Sequence, residues 1–158
     1  MGAAYFYMLT ENAVEQTLPS LIGRAQGQGW QVELRGIDAG RMGRLDQALW
    51  LGADDGFLAH GLAGGAHDAL QPVLLTTTPT GRDCIMAMDG AEVTPAQVQA
   101  AKRVCILFDG NDQTALAHAR GQWKALTGAG CAAQYWAQND GRWVMKAQAT
   151  PDTVQGAL

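Results

Sequence analysis

Arg120, Trp123 and Lys124 are the residues of this chain whose types and spacing best suit recognition chemistry. On a helix, Arg120 and Lys124 are i and i+4 neighbours, and Trp123 lies beside them. That puts a cationic pair next to an aromatic surface. An acidic peptide ending in an apolar residue and a free carboxylate suits such a patch, because guanidinium and carboxylate pair through charge-assisted hydrogen bonds. The plainer reading is a solvated cationic pair beside a core tryptophan, the long stems covering apolar surface. A second aromatic pair, Trp50 and Phe57, straddles the start of a glycine-rich stretch. Large aromatics on irregular chain are natural interface anchors. They also serve to pack a loop onto the body, and the residues alone leave both readings open.

Catalytic constellations are scarce. Gly-Lys never occurs, so there is no P-loop. The string Gly128-Ala129-Gly130-Cys131-Ala132-Ala133 fits G-x-G-x-x-A but follows a helix and precedes a strand. A dinucleotide site needs the reverse order, so the string reads as a helix stop. Ser20 is the only serine and sits outside any nucleophile-elbow context. His60 and His67 are loosely spaced, and His118 has no histidine partner at helical spacing, so no metal site is expected. Asp54-Asp55 reads as a solvated turn. Cys84, Cys105 and Cys131 are scattered and odd in number, and read as reduced cysteines of a cytoplasmic protein. No cofactor is expected, and the chain is not read as an enzyme.

The elements that must carry these residues alternate between strand and helix, the pattern of an α/β domain. Strands are predicted over 3–9, 31–35, 72–77, 83–88 and 104–108, with a final hairpin over 131–137 and 142–147 turning at Asn139-Asp140-Gly141. The run 104–108 is continuously apolar, as in a strand buried on both faces. Helices are predicted over 11–28, 41–51 and 113–127, with a short helix or turn over 95–101. Pro19 either sits in the first turn of a helix capped near Thr17 or lies inside a longer one. Thr78-Pro79-Thr80-Gly81 supplies a turn between two strands. Residues 1–148 make one domain and 149–158 a tail.

The composition is that of an ordinary globular domain, 47% hydrophobic and 16% charged, without a signal peptide or a run able to span a bilayer. The net charge of −4 disfavours a main activity that grips nucleic acid by its phosphates, although a local patch remains compatible with it.

From about Ala3 to Lys146 the sequence resembles the chi subunit of bacterial DNA polymerase III. The matching pieces include Phe6-Tyr7-Met8-Leu9, Leu45-Asp46-Gln47-Ala48-Leu49-Trp50, Phe57-Leu58-Ala59-His60-Gly61, Val104 to Asp112, Ala119-Arg120 with Trp123-Lys124, and Gly141-Arg142-Trp143. Their order and spacing make the likeness specific. It implies a single three-layer α/β/α domain with a mostly parallel sheet, Rossmann-like in outline but without a phosphate loop. It also implies a non-catalytic, cytoplasmic role in replication, bridging the clamp loader, through a psi subunit, to the acidic C-terminal tail of single-stranded DNA-binding protein. By the same resemblance Arg120, Trp123 and Lys124 form the tail pocket, and Trp50 and Phe57 face psi. Leu116 stands where the family pocket can carry a further lysine, and Asp109 where it can carry an apolar residue. Ala59 replaces a common proline. Two rival readings are a degenerate nucleotide-binding enzyme and a direct single-stranded nucleic-acid binder built on exposed tryptophans.

Overall fold

The computed structural model describes residues 2–51, 60–64 and 68–150, without the side chains of Trp50 and Leu51. Eight strands form one sheet: β1 (Ala3–Leu9), β2 (Val32–Arg35), β3 (Gly61–Leu62), β4 (Val73–Thr76), β5 (Cys84–Ala87), β6 (Arg103–Asp109), β7 (Ala132–Asn139) and β8 (Arg142–Ala149). Their order is β3-β4-β2-β5-β6-β1-β7-β8. Every neighbouring pair is parallel except the terminal hairpin β7–β8. The fold is therefore the mixed, mostly parallel α/β class that the sequence predicts.

Strand alternation sorts the core into two layers. From β1, Tyr7 and Leu9 join α1 (Val14–Gly27) and α2 (Ala39–Leu51) on one face, through Leu18, Ile22, Met42 and Leu45. Ala4 and Phe6 join α3 (Pro95–Ala100) and α4 (Gln113–Gly128) on the other, through Val98, Ala119 and Leu126. Central β6 is apolar on both faces because helices cover both.

α1 is the longer helix of the two alternatives. Its N-cap is Ala13, and Pro19 lies inside it. Gln16 Oε1 accepts from the Ala13 N–H at 2.9 Å and secures the first turn. At α3, Thr94 and Gln97 form a reciprocal capping box behind Pro95. The predicted turn at Asp140-Gly141 has φ of 52° and 74°, the left-handed pair of a two-residue hairpin turn, which glycine and aspartate tolerate.

The segment containing Thr78–Gly81 does not join adjacent strands. β4 and β5 lie on opposite sides of β2, parallel to it, so the chain crosses over β2 without a helix. A buried ion pair holds this crossover down. Glu33 is fully buried, and its Oε1 accepts from the Thr80 N–H at 2.8 Å and the Thr80 hydroxyl at 2.6 Å. Its Oε2 accepts from Arg35 Nε at 2.6 Å. Arg35 Nη1 also donates to the Glu92 carbonyl and to Gln97 Oε1, each at 3.0 Å. Glu33 and Arg35, two apart, therefore share one face of β2 and neutralise each other under a loop.

Candidate functional site

Helix α4 positions the recognition residues. Asp112 caps it, accepting from the Thr114 N–H at 2.9 Å and the Ala115 N–H at 3.3 Å. Ala119 and Leu126 bury its inner stripe. Its stop is the glycine segment, with Gly130 at φ 87° and the Cys131 N–H returned to the Leu126 carbonyl, as the sequence predicts. Leu116, Arg120 and Lys124, four residues apart, form a ridge along the helix, with Leu116 half-buried and both cations exposed.

That ridge borders a groove of about 630 Å³. Met8 of β1, Trp123 of α4 and Tyr135 of β7 line its apolar part, Lys146 and Ala147 of β8 its far side, and Gly110 one end. Trp123 is half-buried and held edge-on against Phe6, centroids 5.4 Å apart, and against Tyr135 at 5.9 Å. Tyr135 also stacks on Phe6 at 6.1 Å. The tryptophan is thus both a core residue and a wall of the groove, so the two readings of the sequence are not exclusive. Burial raises the Tyr135 phenol above its usual pKa, with Arg120 acting in the opposite direction. Among the described residues no acid forms an ion pair with Arg120, Lys124 or Lys146. The groove is therefore an apolar trough edged by three cations that no described acid neutralises.

The structure brings Arg120, Trp123 and Lys124 together on this groove and adds Leu116, Tyr135 and Lys146 to it. Asp109 does not line it; its carboxylate accepts from the Asn111 N–H at 2.9 Å. The other candidate pair is less visible: Trp50 lies in the last turn of α2, and Phe57 lies outside the described residues. His60, just beyond that segment, is buried. Its Nε2 donates to the Asp46 carbonyl at 3.0 Å and lies 3.2 Å from the Asp46 carboxylate, fixing the chain to α2. Its role here is structural.

A nucleotide in a doubly wound sheet ordinarily meets backbone amides at the turn after a strand. Here the turn after β1 is already occupied. Gln138 Oε1 accepts from the N–H groups of Thr10, Glu11 and Asn12 at 3.0, 2.9 and 3.3 Å. Asn111 Nδ2 donates to the Thr10 carbonyl at 3.2 Å and closes the same crevice. The amides that could cradle a phosphate hold a side-chain oxygen instead.

Other chemistry is sparse among the described residues. No group of three or more His, Cys, Asp or Glu could hold a metal. All three cysteines are free and buried. The hydrogen bond with Cys84, then burial, pushes the Cys105 thiol well up, and burial raises Cys131, so neither is an activated nucleophile. Ser20 is exposed on α1, and Asp54, Asp55 and His67 lie outside the described residues. No described helix is long and apolar enough to cross a membrane.

The mostly parallel α/β sheet thus carries a crevice after β1 filled by Gln138 and, on α4, an open groove lined by cations. The family model described as DNA polymerase III chi subunit, HolC, matches residues 1–134, and the chain belongs to that family. Its role is accordingly that of an accessory component associated with the DNA polymerase III holoenzyme in replication. No curated protein matches the chain.

Proposed function

We propose that this chain is a non-catalytic adaptor that works in the cytoplasm and links the clamp loader to coated single-stranded DNA. Its α4 groove takes the acidic C-terminal tail of single-stranded DNA-binding protein. The observation that carries this reading is the pair Arg120 and Lys124, without an acidic partner among the described residues, above an apolar trough lined by Leu116, Trp123 and Tyr135. A terminal carboxylate pairs with the cations, and the terminal apolar side chain enters the trough against Trp123. The Leu116 substitution lowers the charge of the helix ridge but enlarges the apolar wall. Buried in a complex, such charge-assisted contacts decide orientation as much as affinity.

The second contact of the adaptor, to psi or an equivalent clamp-loader component, is assigned to Trp50 and Phe57 on the family resemblance. Two weak contacts on one rigid body hold the loader near its template by raising effective concentration. DNA is then reached through the coating protein, which accords with the net charge of −4. The plugged turn after β1 speaks against the nucleotide-enzyme alternative.

The test is a titration of a labelled peptide carrying the acidic tail against the full chain at rising salt. Binding on the order of micromolar that weakens as exposed charges are screened supports the proposal. Binding indifferent to salt contradicts the charge-led mechanism, and absence of binding contradicts the adaptor itself. For the second contact, Trp50→Ala abolishes co-purification with psi while leaving tail binding intact.

A further inference from the structure

The β7–β8 ladder contains one irregularity, and it falls at the groove. Trp136 pairs with Met145, but the next pair is Tyr135 with Ala147. Lys146 is the extra residue of a β-bulge, with no residue opposite it. Strict alternation would send residues 146 and 147 to opposite faces of the sheet. A bulge breaks that alternation and re-aims a side chain. Here both Lys146 and Ala147 line the groove beside Tyr135.

We propose that β8 is a second recognition wall of the same site. In this arrangement Lys146 engages the acidic residues upstream of the partner's terminal apolar residue, so the site reads an acidic stretch and not a chain end alone. The inference rests on the acidic-tail reading of the groove and deepens it. Four observations support it. Lys146 has no ion-pair partner among the described residues. No described acid lines the groove, while cations stand on both sides of it: Arg120 and Lys124 on α4, Lys146 on β8. The volume of about 630 Å³ is far more than one terminal side chain fills. Finally, the bulge serves no pairing purpose in the ladder, yet it is what places this lysine at the groove. Lys146 lies beyond residues 1–134, so the family match does not assign it.

Lysine on an edge strand also discourages edge-to-edge association. That alternative predicts a change in solubility and none in peptide affinity, which makes the two separable. The experiment uses the full chain and two peptides with the same terminal residues. One keeps the upstream acids; the other has them replaced by asparagine and serine. Both are titrated against wild type, Lys146→Ala, Lys146→Arg and Arg120→Ala. Lys146→Ala is expected to weaken the acidic peptide about twofold to fivefold, the range of a solvent-exposed ion pair, and to leave the neutralised peptide unchanged. Lys146→Arg is expected to retain affinity, and Arg120→Ala to weaken both peptides. Equal effects of Lys146→Ala on the two peptides, or none on either while Arg120→Ala still acts, overturn the second wall but not the tail site. Failure of wild type to bind either peptide overturns the tail reading and this inference together.

Discussion

Arg35 and Arg120 are the same side chain under opposite conditions. Arg35 is buried; Glu33 engages its Nε and the Glu92 carbonyl and Gln97 its Nη1, while Nη2 meets no hydrogen-bond partner among the described residues. Arg120 is exposed on a groove edge with no described acid paired to it. The two crevices differ in the same way. Three amides after β1 converge on an internal oxygen from Gln138, whereas three cations around the α4 groove converge on no anion of the described residues. Donors engaged from within hold the fold; donors left to solvent are where a partner can gain from binding. On this comparison, the turn after β1 is filled from within, while the α4 groove is the surface to which the proposed function assigns a partner.

The largest expected effect tests the satisfied half. Glu33→Ala leaves Arg35 charged, buried and unpaired, so denaturant unfolding should show a loss of about 3–5 kcal/mol. Tail binding by the folded fraction should be unchanged. If Glu33→Ala costs less than a typical surface substitution, the crossover is not held by this pair. The next effect belongs to the open half. Arg120→Ala should cost about 1.5–3 kcal/mol of tail affinity, the range for a hydrogen bond to a charged group. The melting temperature should barely move, because the side chain is exposed and has no ion-pair partner among the described residues. A large loss of stability would place Arg120 with Arg35 and erase the distinction.

Gln138→Ala comes third. It removes the acceptor of three amides near the surface, where water replaces it in part, so a loss of about 1 kcal/mol is expected by thermal or urea unfolding. Nucleotide binding to this variant would show that the crevice is a blocked ligand site and not a structural seam.

The smallest effect lies at high pH. Tyr7, Cys105, Cys131 and Tyr135 all have pKa values raised in the folded chain, with burial favouring the neutral form in each and a hydrogen bond with Cys84 leading at Cys105. The unfolded chain therefore releases these protons first. Stability is retained below the unfolded values of about 8.5 for cysteine and 10 for tyrosine, and declines as pH rises through that window. Tyr135→Phe should remove part of the decline above pH ~10, and a decline unchanged by Tyr135→Phe would exclude that residue as a contributor.

Much of this architecture is legible from sequence because local pattern and global fold agree. The apolar run of β6, the glycine stop of α4 and the Asp140-Gly141 turn each mark their element. The crossover over β2 is not legible. A turn-rich segment between two short strands gives no sign of which strands will pair. Nor does the alternation Val32-Glu33-Leu34-Arg35 show that both faces are buried, since that depends on Glu33 meeting Thr80 across the chain. At the candidate site, the i, i+4 spacing of Arg120 and Lys124 is visible in one helix, while Lys146 is not. A single bulged residue leaves no periodic trace, and its approach to α4 exists only once β7 and β8 have paired.

The central claim is that a partner's acidic tail binds in the α4 groove against Trp123. The most direct test follows the tryptophan indole N–H resonances during a tail-peptide titration, with Trp123 assigned by its loss in Trp123→Phe. The account predicts that the Trp123 signal shifts saturably, while those of Trp30, on the opposite face of the sheet, and Trp143 stay in place. A saturable shift of Trp30 or Trp143 with Trp123 unmoved would contradict it.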